Sequence, residues 1–128
     1  MIEIRKVNDK TIAKKVCEEN NILYQEDFHV IATIEGENIL QSAVFTYKKE
    51  QGTIHAISGF GGDILLLDGL CRAILNIMDI NGVKDVYLPL KYDKLASYVG
   101  FSRENDQFHL KLEGFFDCHC SKKKGESQ

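Results

Sequence analysis

The 128-residue sequence contains no apolar stretch long enough to span a bilayer, and its first residues, MIEIRKVND, lack the apolar core of a signal peptide. The expectation is a cytoplasmic protein with no membrane partner, whose four cysteines are reduced thiols. Basic charge is also scarce. Sixteen Lys and Arg stand against nineteen Asp and Glu, a formal net charge of −3, which argues against a nucleic-acid partner. The only basic run, Lys122 to Lys124, lies in a polar tail and reads as a solvated terminus. There is no internal repeat, no low-complexity tract and no sign of a second domain. What is present is 44% hydrophobic residues, enough at this length for one domain with a real core. The expected division is a single domain over residues 1–116 and a polar tail containing Cys and Lys over 117–128.

The richest stretch runs from Thr53 to Leu88. TIHAIS (Thr53 to Ser58) is short, rich in β-branched residues and flanked by Gly52 and Gly59, as a strand bounded by turns should be. Gly59, Gly61 and Gly62 follow within four residues, where backbone can take positive φ or lie close to a bound group. From about Ile64, apolar residues recur at Leu67, Leu70, Ile74, Ile77 and Met78, the spacing of a helix face. Leu65, Leu66, Ala73 and Ile80 widen that face and predict a helix buried on more than one side. Asn81-Gly82 stops it, and VKDVYLPL gives a second strand that Pro89, the single proline, ends. Two strands joined through a helix are normally parallel, and ligands of open α/β sheets bind at the carboxyl ends of such strands. That rule puts the Gly59 to Asp63 loop at the expected ligand site.

The other segments fall around this unit. Ile2 to Val7 alternates as a strand, and Asp9 N-caps a helix through about Asn20 whose buried stripe is Ile12, Val16 and Cys17. HVIATI and NILQSAVFTYK are two antiparallel strands with EGEN (Glu35 to Asn38) as the turn, and KEQG (Lys49 to Gly52) leads into the Thr53 strand. Tyr92 to Val99 forms a short helix ended by Gly100, and Phe101 to Arg103 with Gln107 to Leu112 closes the sheet. The order is β-α-β-β-β-α-β-α-β-β, an α/β (mixed α+β) fold.

In element order, in length, and in the segment GVKDVYLPLKYDKLASYVGF, residues from Ile2 to about Leu112 resemble the GNAT family of N-acetyltransferases. The closing Gly100-Phe101 matches the family's Gly-Phe pair. The resemblance implies an acyl-CoA N-acyltransferase fold whose mixed sheet splays between its fourth and fifth strands. Acetyl-CoA or another acyl-CoA would lie in the splay as co-substrate, and a small-molecule or peptide amine would enter from the opposite side. It further implies cofactor contacts from Ile57, whose strand amides face the acyl carbonyl, and from Gly59, Gly61, Gly62 and Asp63 at the pyrophosphate.

The chain departs from the family at two places. The family's pyrophosphate signature is Gln/Arg-x-x-Gly-x-Gly/Ala, whose backbone N–H groups at a helix start cradle the phosphates. Aligned without gaps, those positions fall on Gly62, Leu65 and Leu67, so the spacing survives and the signature does not. The chain's own glycines come a few residues earlier, which leaves a shifted phosphate loop and a purely structural turn both open. Asp63 opposes phosphate unless it caps the helix with its charge turned inward. The family's catalytic tyrosine falls on Ala96. Tyr98, two residues on, lies on another side of the helix and can serve as proton donor only if that helix is rotated or unwound. Otherwise it is a half-buried packing residue.

His55, on the strand before the loop, titrates in the range a general base needs, although a lone histidine between Ile54 and Ala56 equally suits a sheet face. Asp68 and Arg72, four apart on the long helix, can pair with each other or face the cleft. Cys118-His119-Cys120 sets two thiols and an imidazole together, but without the second ligand pair that makes zinc motifs specific; exposed thiols on a terminal segment are the plainer reading. Cys17 and Cys71 read as small core residues. The preceding Gly114-Phe115-Phe116 is either an anchor to the domain or an interface, as in a homodimer. Two functions follow: an N-acetyltransferase acting on an amine, or a catalytically inactive GNAT-like binding or regulatory module with a metal- or thiol-active tail.

Overall fold

The computed structural model describes residues 2–59 and 64–116. Gly61, Gly62, Asp63, Cys118, His119 and Cys120, all named above, lie outside the described residues. The chain opens with strand β1 (Ile2–Val7), helix α1 (Lys10–Glu19), and strands β2 (His29–Glu35), β3 (Asn38–Lys48) and β4 (Gln51–Gly59). Helix α2 (Ile64–Ile80), β5 (Asp85–Pro89), a 3₁₀ turn (Leu90–Tyr92), α3 (Asp93–Val99), β6 (Ser102–Glu104) and β7 (Gln107–Lys111) follow. Among the described residues the strands form one sheet in the order β1-β2-β3-β4-β5-β7-β6. Only the β4–β5 neighbours run parallel; the other pairs are antiparallel. The predicted element order is thus the observed one, with the 3₁₀ turn as an addition.

Local chemistry accounts for most boundaries. Asp9 Oδ1 accepts from the amides of Thr11 at 2.8 Å and Ile12 at 3.4 Å, satisfying two of the donors that an α-helix start leaves free. At the end of α3, Gly100 takes φ +115° and its N–H returns to Ala96 O at 2.9 Å, a left-handed cap that a side chain would strain.

Two apolar clusters cover the two faces of the sheet. The larger packs α2 and α3 onto the sheet around Phe45, Ile54, Leu70, Ile74, Leu75, Met78 and Leu88, all fully buried. The smaller packs Ala13, Val16 and Cys17 of α1 against Val30 and Val44. Here the expected stripe is corrected: Ile12 is 40% exposed, and Ala13 takes the packed position. A helix resting on a sheet brings its backbone closest where the side chain is smallest, which turns the larger Ile12 outward to the edge of the contact. The expectation for α2 also changes. Its buried residues, Leu70, Cys71, Ile74, Leu75 and Met78, form one face, whereas Leu65 and Ile80 are 66% and 74% exposed. Only one side of α2 meets the sheet, which leaves Ile80 at its C-terminal end largely exposed.

Asp68 and Arg72 do pair, at 2.9 Å, but the guanidinium lies 5.5 Å from the centre of the Phe115 ring, so the pair faces the C-terminal segment and not the cleft. Phe115 and Phe116 pack on the larger cluster as an anchor. Cys17 and Cys71 are buried free thiols, and burial pushes the Cys71 thiol up to about 12, so neither thiolate chemistry nor metal ligation is expected of it. Among the described residues, no helix is long and apolar enough to cross a membrane.

Candidate functional site

The parallel strands part almost at once. β4 and β5 pair only at Gln51↔Asp85, Gly52↔Val86 and Thr53↔Tyr87, and from Ile54 onward β4 has no strand on that side. The gap is a cleft of about 1100 Å³. One wall is Ile57, Ser58 and Gly59 with Ile64 and Leu67 of α2; the other is Lys91, Tyr92, Lys94, Leu95 and Tyr98 of the 3₁₀ turn and α3. Two of the cofactor residues expected from sequence, Ile57 and Gly59, therefore line the splay.

The antiparallel ladder explains what the open edge offers. Residues of β4 alternate between those whose N–H faces β3 and those whose N–H faces away. Ile57 is of the second kind: its N–H points across the gap and donates to Tyr92 Oη at 3.0 Å. The open edge thus presents a backbone donor into an apolar-walled cleft, next to a phenol. Tyr92 lies 35 residues further along the chain and was expected only as the start of a helix. No local pattern could have marked it, because its partner is a backbone group on another strand. Lys91, whose ammonium is 5.3 Å from the Tyr92 ring centre, and Lys94 outnumber the one carboxylate of this wall, Asp93. Tyr98 is 48% exposed, half-buried at the helix end, and lines the same cleft.

A second cavity, about 430 Å³, opens on the α1 side of the same strand end. Ser58 and Gly59 belong to both. Its walls carry Ile12 and Lys15 of α1, the carboxylates Glu19 and Glu37, and Gln41 and Ser42 of β3. Ser42 and Ser58 join their hydroxyls at 3.2 Å. The end of β4 therefore separates a basic, apolar-floored cleft from a smaller cavity bearing two carboxylates.

His55 lines neither. The register jumps from Val44↔Ala56 to Phe45↔Ile54, so His55 sits in a β-bulge opposite no residue. Its ring stacks on Phe28 at 5.1 Å, on the α1 face, and Nε2 pairs with Thr46 Oγ1 at 2.8 Å. Burial holds its pKa below the ordinary histidine value, with Asp27 pulling weakly the other way. His29, whose ring stacks with those of Phe45 and Tyr47, is lowered by burial and then by Lys6, again against Asp27. The fold thus favours the neutral form of both imidazoles. Below the ordinary histidine pKa of about 6.5 the unfolded chain binds more protons than the folded one, so stability declines as pH falls from there towards the lower folded values. Urea denaturation at neutral and mildly acidic pH should show this loss. A His29→Gln/His55→Gln protein should show less of it; an identical pH slope would contradict the assignment.

No protein-family model matches this chain, and no curated protein matches it in sequence. Solved structures match in shape. The spermidine/spermine N-acetyltransferase SpeG from Vibrio cholerae superposes with a TM-score of 0.71 at 10% identity, over 92% of this chain and 99% of SpeG. An acetyltransferase of the GNAT family from Staphylococcus aureus gives 0.63 at 13% identity, over 88% and 99%. The E. coli protein YhhK, bound to coenzyme A, gives 0.67 at 11% identity, over 87% and 98%. The fold is therefore that of the GNAT acetyltransferases, as the sequence resemblance implied.

Proposed function

We propose that this chain is an acyl-CoA-dependent N-acetyltransferase, with acetyl-CoA as co-substrate in the β4–β5 cleft and an amine as acceptor. The observation that carries the reading is the open edge of β4, whose Ile57 N–H points into a cleft of about 1100 Å³, a volume that can hold a pantetheine arm. A thioester carbonyl taking the place of Tyr92 Oη on that N–H would be polarised by a fixed donor in an apolar surrounding, where such a donor is worth most. Gly59, Gly61, Gly62 and Asp63, at the start of α2, are the proposed pyrophosphate contacts, and Lys91 and Lys94 complement the remaining charge. That YhhK was solved with coenzyme A on the same fold supports this reading.

The acceptor would approach through the cavity on the α1 side, which meets the cleft at Ser58 and Gly59 and whose Glu19 and Glu37 suit a cationic amine. The neutral amine attacks the carbonyl carbon, the new C–N bond forms as the C–S bond breaks, and coenzyme A leaves as thiolate. The phenols of Tyr92 and Tyr98 are the candidate proton donors to that thiolate. The amine loses one proton before attack and a second as the amide forms; both pass to water in the acceptor cavity, since His55 lines neither space. Holding an amine against a reactive thioester already supplies much of the rate. The test is a panel of polyamines, amino acids and peptide N-termini incubated with acetyl-CoA while free thiol is followed. Thiol release that depends on one class of amine is expected; its absence with every amine would contradict the proposal.

A further inference from the structure

We infer that Gln41 is a positioning residue that fixes the first turn of α2 against the end of β4, and through that turn the affinity for a phosphate-bearing ligand; the inference rests on the acyl-CoA reading above. Gln41 is 2% exposed, and a buried amide survives in a core only if its donor and acceptor are both met. The orientation that pairs donor with acceptor at every contact has the amide nitrogen donating to Thr33 Oγ1 at 3.2 Å and to Leu66 O at 3.1 Å. The amide oxygen then accepts from Leu67 N at 3.2 Å. Thr33, on β2, is itself 1% exposed, so the network is anchored in the sheet. Leu66 and Leu67 belong to the first turn of α2, the turn whose orientation decides where helix-start amides point.

The same side chain holds the other end. Gln41 is the register partner of Gly59, the last residue of β4, and a Cβ on Gly59 would come within 2.7 Å of Gln41 Cγ. Glycine is required there because the amide stem occupies that space. One residue thus touches both the strand end and the helix start. An apolar residue of similar size would fill the volume but leave Leu67 N–H without this acceptor and the first turn free to shift. Displacements of an ångström in a binding element cost up to about a hundred-fold in function.

The test compares acetyl-CoA with S-acetylpantetheine, which has the thioester and pantetheine arm but no phosphate. Gln41→Leu should weaken acetyl-CoA binding by about ten-fold or more while changing S-acetylpantetheine binding by less than about two-fold. Gln41→Glu, which keeps an acceptor for Leu67 N–H, should recover part of the loss. A purely structural role would weaken both ligands in parallel, and that result, or no loss of either in the folded variants, overturns the inference. If the unsubstituted protein binds neither ligand, the acyl-CoA reading itself fails and this inference falls with it.

Discussion

Reversing both basic residues of the cleft wall, Lys91→Glu with Lys94→Glu, is expected to weaken acetyl-CoA binding by roughly 30–100-fold at low ionic strength. Both side chains line the cleft, and coenzyme A is polyanionic at neutral pH. A solvated lysine–phosphate contact contributes about 0.5–0.7 kcal/mol, and reversal replaces each attraction with a repulsion of similar size, giving about 2–2.8 kcal/mol for the pair. Because the charges are solvated, salt screens both attraction and repulsion, so parent and variant should converge as ionic strength rises. Calorimetric titration at two salt concentrations reads this directly. An unchanged affinity, or a loss insensitive to salt, would show that the lysines do not face the phosphates.

Phe45→Ala is expected to lower the free energy of unfolding by about 3–5 kcal/mol. Phe45 is fully buried at the centre of β3, packs in the larger cluster, and stacks on His29 and Tyr47. It also stands opposite Ile54, where β4 leaves β5 and the cleft begins. The surrounding strands hold the space open, so the site can collapse little and the full cavity cost is felt. Domains of this size are stable by only about 5–15 kcal/mol, so the variant should be marginal. Saturating acetyl-CoA, at about a hundred times its dissociation constant, should restore about 2.7 kcal/mol by mass action. Urea denaturation with and without acetyl-CoA measures both effects. A loss below about 1 kcal/mol would contradict the packing described for β3.

Periodic residues made most of the fold legible in advance. Alternation delimited β1 from Ile2 to Val7, apolar spacing ran α2 from Ile64 to Ile80, and Asp9 and Gly100 marked helix ends by their own chemistry. What stayed hidden depended on residues far apart in the chain. Ile12 and Ala13 are both apolar, and only the approach of α1 to the sheet decides which is buried. An extra residue in a strand leaves no mark on composition, so the bulge that puts His55 beside Phe28 could not be read from the alternation of Ile54, His55 and Ala56. The β4–β5 splay was legible through family resemblance alone, because no strand sequence states where its neighbour departs. Tyr92 and Gln41 were unremarkable in the sequence: one is defined by the amide of Ile57, the other by the first turn of a helix more than twenty residues later.

The most direct test of the central claim is calorimetric titration of the purified protein with acetyl-CoA, alongside Asp63→Arg. If acyl-CoA lies in the β4–β5 cleft with its pyrophosphate at the start of α2, the parent should bind with micromolar affinity, and exchanging a carboxylate for a guanidinium at that helix start should change the affinity. Absence of binding by either form would contradict the account, leaving a GNAT fold that serves something other than acyl transfer.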